Sequence, residues 1–173
     1  MQMQVVKKAL MILFAVWFAF VLFMPKRNLY YKVEQVLATQ GVKINEGSIT
    51  GGIFTLNIDE AVVYMKGIDL IHIKHASFFS LLFYSRVTLQ GIVLDDSLKN
   101  MLPTKLAEAV FSHVIWHPGY VQVSGKGAFG AFEGDIDLAQ RKVHLDFTEL
   151  SKPGVLKHQL KKGEKGWYYE TSF

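Results

Sequence analysis

The sequence predicts a mainly β protein. The expected architecture is a curved antiparallel sheet, U-shaped or barrel-like, with an N-terminal transmembrane helix, a surface helix and one helix inserted among the strands. Three observations lead there. The run from Ala9 to Met24, ALMILFAVWFAFVLFM, contains no charged residue. From Val42 onward the apolar residues recur with the period of a strand. Glycines punctuate that region at the spacing of short strands joined by tight turns.

The apolar run comes first in the chain. Its residues from Ala9 to Met24 span about 24 Å as a helix. Val5 and Val6 extend it, and Lys7 and Lys8 can snorkel, which brings it near the ~30 Å hydrocarbon thickness of a bilayer. Two lysines before an apolar run are also the layout of a cleaved secretory signal, but the run ends in VLFMPKRN, with no A-x-A arrangement of small residues. An uncleaved anchor is therefore expected, with the rest of the chain exported. The domains divide as residues 1–27, tail and anchor, and 28–173, a β-rich periplasmic domain. The chain of 173 residues has room for one core plus this appendage.

Next, NLYYKVEQVLATQG reads as a short amphipathic helix at the membrane surface. Asn28 is its expected cap, Leu29, Val33, Val36 and Leu37 its apolar face, and Gly41 its left-handed end. Phe54, Leu56 and Ile58 then alternate with Thr55, Asn57 and Asp59, after a turn at Gly51–Gly52 and before an irregularity at Asp59–Glu60. Gly67 reverses the chain. In IDLIHIKH both faces carry isoleucines, so its orientation stays open. PTKLAEAVFSHVIW, opening at Pro103, sets Leu106, Ala109, Val110 and His113 at helical spacing and is the expected inserted helix. The clearest hairpin runs from Ala128 to Phe147, with Phe132, Ile136, Leu138, Val143, Leu145 and Phe147 on one side and Glu133, Asp135 and Asp137 on the other. A last hairpin is expected to join VLKHQL to GWYYETSF across Lys161–Gly166.

Chemistry-bearing constellations are sparse. His113 and His117, at i and i+4 on the expected helix, are a weak zinc pattern without a third ligand. His72 and His75 point to opposite faces of an extended run. Asp95–Asp96 reads as a turn. Ser124 lacks a nucleophile elbow, and GKGAFG lacks Walker spacing and reads as a flexible turn. Cysteine is absent, which removes disulfides and thiolate chemistry. The net charge of +4 is spread along the chain, with an excess in Lys157–Gly166 that reads as a solvated turn, and no nucleic-acid recognition module is present. No cofactor is expected. Function by binding remains, through an apolar sheet face made of Phe54, Leu56, Ile58, Phe132, Ile136, Leu138, Val143, Leu145 and Phe147, turned toward lipid or a partner.

The order of parts, with YYKVEQVLATQGVKI, EGSITGGIFTLNIDEAVV, ASFFSLLFYSRVTLQGIVLDD and GAFGAFEGDIDLAQRKVHLDF, resembles the type II secretion protein N (GspN) family. It is similar in layout to the start of the AsmA and TamB group of envelope proteins. The resemblance implies a bacterial inner-membrane protein, single-pass, with a periplasmic β-rich domain acting as an accessory scaffold of a type II secretion-like system. The second group implies the alternative, a phospholipid-binding or lipid-transfer module. The implied partners are inner-membrane lipid, a phospholipid ligand, and other secretion-system or envelope proteins.

Overall fold

The computed structural model describes residues 2–22, 26–81, 83–95, 105–148, 160–163 and 166–173. Helix α1, Gln2–Leu22, forms over the apolar run, and the side chains of Leu10, Met11, Ile12, Leu13, Phe14 and Val16 are all more than half exposed. Among the described residues no helix is long and apolar enough to cross a membrane. Helix α2 spans Lys26–Thr39, so Asn28 lies inside its first turn and not at its cap. Gly41 ends it with φ of +80°, a conformation glycine reaches without strain.

Among the described residues, every strand after α2 belongs to one open antiparallel sheet of 11 strands. These are β1 (Val42–Asn45), β2 (Ser48–Gly51), β3 (Thr55–Met65), β4 (Ile68–Leu81), β5 (Tyr84–Leu94), β6 (Lys105–Val114), β7 (Tyr120–Gly127), β8 (Gly130–Asp137), β9 (Lys142–Phe147), β10 (Lys161–Gly163) and β11 (Gly166–Ser172). β3 to β9 form an uninterrupted meander, β11 adds to β9, and β10 closes the row. At the other edge β1 and β2 both pair with β3, end to end, and act as one broken strand. The sheet is open and not a closed barrel: no pairing joins the β1–β2 edge to β10 among the described residues.

The expected inserted helix is a strand. β6 occupies Lys105–Val114 and pairs with both β5 and β7, while Pro103 lies outside the described residues. The last hairpin is also shifted: Lys161–Gly163, read as a turn, is β10 itself, and Val155–Gln159 lie outside the described residues. The Ala128–Phe147 hairpin forms in the expected register, pairing Phe132 with Phe147 and Ile136 with Val143. Its turn is built by Asp137, whose Oδ1 accepts the backbone N–H groups of Ala139 (2.9 Å) and Gln140 (2.8 Å).

A row of irregularities crosses the sheet. In each of four neighbouring strands two trough-facing residues are three apart: Ile58 and Ala61, Ile73 and Ala76, Leu89 and Ile92, Leu106 and Ala109. A regular strand would space them by two. Between them two consecutive residues lie toward the outer face: Asp59 and Glu60, Lys74 and His75, Gln90 and Gly91, Ala107 and Glu108. Pairing puts Asp59 opposite His75, His75 opposite Gln90, and Gln90 opposite Glu108, so the extra residues form one seam. Glu60 and Gly91 carry it with φ of +53° and +63°. The seam ends at β7, where the register against β6 slips between Leu106 and Glu108. An added residue on the outer side bends each strand over its inner side, which makes that inner side concave.

Across the outer face the seam is laced by polar pairs. Ser48 Oγ donates to Asp59 (3.1 Å), His75 Nδ1 lies 2.6 Å from Asp59 Oδ1, and Lys126 Nζ lies 3.1 Å from Glu108. Hydrogen bonds from His75, then Ser48, hold the Asp59 carboxyl below the usual carboxylate range. A carboxyl depressed in the folded state adds stability above its unfolded value, and this is lost as pH falls through its folded value. Urea midpoints of the native chain should therefore drop below about pH 4, and Asp59→Asn should flatten that drop. An unchanged acid limb in Asp59→Asn would show that the pair does not hold the seam.

Candidate functional site

The concave face is an apolar trough. Its first compartment, of about 380 Å³, is lined by Leu56, Ile58, Ala61 and Val63 of β3, by residues of β4 and β5, and by Tyr30 and Val33 of α2. The second, of about 420 Å³, runs from Ile71 and Ile73 in β4 to Tyr169 in β11. Ile73 and Leu89 border both compartments, which joins them into one surface. Polar groups are nearly absent from either lining, so the trough can hold hydrocarbon and has little to offer a charged ligand.

Its floor is firmest where aromatic rings meet. Phe129, Phe132 and Phe147 pack with ring centroids 5.9 Å apart pairwise and are 5%, 8% and 7% exposed. Val123 and Leu160 complete the cluster. The β7–β8 turn falls inside GKGAFG, at Ala128–Phe129, and Gly125 and Gly127 before it lie in β7 as the bed for these rings. A Cβ at Gly125 would sit 2.5 Å from the Phe132 ring, and one at Gly127 2.9 Å from the Phe129 ring. Rings laid over strand glycines fix register as well as fill space. No side chain among the described residues is both large and completely buried. Among the described residues the sheet is a single layer, and α2 alone lies over its apolar face, at one end.

α2 closes one end. Tyr30, Glu34 and Leu37 are half-buried; Val33, which lines the trough, and Val36, expected with it on the apolar face, are 51% and 60% exposed. The Tyr30 oxygen is buried without a well-formed hydrogen bond. Burial first, then the carboxylates of Glu46 and Glu34, push its pKa far above the ordinary tyrosine value.

Of the residues expected on the apolar face, Leu56, Ile58, Phe132, Ile136, Val143, Leu145 and Phe147 all line the trough. Leu138 does not: it lies in the turn after β8 and is 53% exposed. Phe54 lies in the turn before β3, where its carbonyl accepts the N–H of Ser80. The sequence reading missed the trough residues of β4 to β7, among them Ile71, Ile92, Leu106, Phe111 and Val123. An apolar pair three apart, flanked on both sides by alternation, was the signal available for them.

The polar candidates do not converge. His113 lies in β6 and His117 in the turn after it, so the shared helical face expected for them does not exist. His72 pairs with Asp69 (2.9 Å) and His75 with Asp59, separately. Among the described residues no group of three or more His, Asp or Glu is placed to hold a metal. On the outer face an open hollow of about 620 Å³ is lined by Tyr120, Glu133, Asp135 and Asp146. There the charge of the Asp135 carboxylate, and its hydrogen bond with the Tyr120 hydroxyl, raise the Tyr120 pKa.

No family model, curated protein or solved structure matches the chain.

Proposed function

We propose that the chain is a lipid-binding module of the bacterial envelope, held to the inner membrane by α1, with its sheet in the periplasm and its trough occupied by the acyl chains of a phospholipid. It acts by binding, without a catalytic group or cofactor. The observation that carries this reading is the continuous trough from β3 to β11, apolar throughout and, among the described residues, covered only at one end, by α2. Apolar surface left in water costs about 25 cal/mol per Å². An acyl chain removes that cost without asking for a polar partner.

A second reading, an accessory scaffold of a type II secretion-like system, is favoured by a different feature. Among the described residues β1–β2 and β10 are the two edges of the sheet, where a neighbour's strand can add.

Native mass spectrometry of the full chain, extracted in mild detergent, tests the first reading. The protein is expected to carry phospholipid, and Leu145→Asp, which puts a carboxylate on the half-buried trough wall, is expected to shed it while keeping the far-ultraviolet spectrum of a sheet. A lipid-free native chain, or equal lipid occupancy in Leu145→Asp, would sink the lipid reading.

A further inference from the structure

The turns at the two ends of the strands differ in chemistry. At one end, four turns well separated in sequence carry exposed apolar side chains: Ile53 before β3, Phe83 between β4 and β5, Ile115 and Trp116 between β6 and β7, and Leu138 between β8 and β9. Phe173 joins them, its N–H donating to Arg141 in the last of these turns. Ile115, Trp116, Leu138 and Phe173 are 55%, 63%, 53% and 62% exposed. Trp116 and Phe83 lie 6.0 Å apart, ring to ring, across two neighbouring turns whose backbones are joined by the Ile115 N–H to Phe83 carbonyl bond. At the other end the two described turns, Lys66–Gly67 and Ala128–Phe129, are of another kind. Lys66–Gly67 is polar at its apex, flanked by exposed Met65 and Ile68, and Phe129 folds inward into the core.

The apolar rim is long and interrupted. From β3 to β11 it crosses seven strand spacings, about 34 Å at 4.8 Å each, with apolar tips set in polar backbone. A compact protein partner would meet one or two of these tips, whereas a planar bilayer interface meets all of them. Tryptophan and phenylalanine on exposed turns are side chains that the interface favours.

The direction of α2 supplies an independent argument. Its C-terminal end is fixed at the corner opposite the rim, where Lys66 N–H donates to the Gly41 carbonyl. Tyr30 lies beside Glu46, part-way along the β1–β2 edge. The helical stretch from Tyr30 to Gly41 and the extended stretch from Gly41 to Glu46 each cover about 16 Å, so α2 runs antiparallel to the edge strand. Followed backward, α2 carries the chain from that corner toward the rim, and the apolar helix α1 precedes it.

We infer that the rim of turns bearing Phe83, Trp116 and Leu138 is a second membrane contact, which inserts shallowly into the lipid interface beside the anchor and lays one side of the trough against the bilayer. The inference rests on the membrane reading of α1, and the test separates the two. The chain has no cysteine, so single cysteines can be placed without background. Trp116→Cys, Leu138→Cys, Lys66→Cys and Leu13→Cys in the full chain, each labelled with an environment-sensitive fluorophore, are reconstituted into phosphatidylethanolamine–phosphatidylglycerol vesicles containing a headgroup-proximal nitroxide lipid. Labels at positions 116, 138 and 13 are expected to be quenched several-fold more than the label at 66. Quenching at 13 with 116 and 138 no better quenched than 66 overturns the rim contact and leaves the anchor standing. Absence of quenching at every position overturns both. If the labels at 116 and 138 shift in emission equally in detergent and in vesicles, with the shift growing with protein concentration, the rim joins two copies of the chain and the bilayer assignment fails.

Discussion

Phe132→Asp is expected to unfold the β7–β11 part of the sheet. Phe132 is 8% exposed, packs against Phe129 and Phe147, and lies over Gly125 in the facing strand. Removing a buried phenylalanine costs about 3–5 kcal/mol, and a carboxylate in the same place must also lose its water or rebuild its surroundings. The loss is therefore at least about 4 kcal/mol, a large share of the 5–15 kcal/mol that separates a folded domain from its unfolded chain. Phe132→Leu keeps most of the apolar volume and should cost about 1.5 kcal/mol. Urea unfolding followed by circular dichroism reads both. Equal midpoints for the native chain and Phe132→Asp would mean that the three-ring cluster is not the core of this half.

The second large effect belongs to a residue with no side chain. Gly134 in β8 pairs with Leu145 in β9 and Val123 in β7. A Cβ added there would fall on the carbonyl oxygen of His144, with the Leu145 Cα 2.8 Å away. Both obstacles are backbone, so no rotamer change relieves them, and β8 and β9 would have to part at the middle of their hairpin. Gly134→Ala is expected to cost about 3 kcal/mol, at the upper end of the usual overpacking range, and Gly134→Val more. The prediction separates steric room from flexibility: Gly67, whose Cβ would meet nothing within 4 Å, has φ of +83°, and Gly67→Asn, a residue that tolerates this region, should leave the urea midpoint nearly unchanged. A folded Gly134→Val chain with the native midpoint would show that the strands sit farther apart than the pairing requires.

These two positions also mark what one-dimensional pattern could and could not reveal. Period-two alternation around Phe132, Leu145 and Phe147 was enough to define the β8–β9 hairpin, its register and its buried side, because a slip of one residue would send every ring to water. The glycines at 41, 51–52 and 67 likewise marked real chain reversals, and the irregularity at Asp59–Glu60 falls where Glu60 takes a φ of +53°. Alternation failed where the seam adds a residue. Leu106 and Ala109 stand three apart because Ala107 and Glu108 both lie toward the outer face, and that spacing imitates the i, i+3 pattern of a helix. A separate irregularity made the two faces of IDLIHIKH look alike: Val63 pairs with Ile71 and Tyr64 with Asp69, so Leu70 is an extra residue in β4.

By itself the sequence determined an apolar N-terminal helix, a β-rich remainder of glycine-punctuated hairpins, and the apolar side of β8, of β9 and of the start of β3. Those properties are local: they follow from which residues tolerate a positive φ and from the two-residue repeat of side chains along an extended backbone. Only the tertiary structure decided that the strands form one open sheet, that kinks in four of them align into a single seam with the β3–β6 register unbroken across it, and that their apolar sides join into a trough closed at one end by α2. Alignment of the kinks depends on the register between neighbouring strands. The ladder survives because each neighbour bends with the next, and no property of one strand records where its neighbour bends.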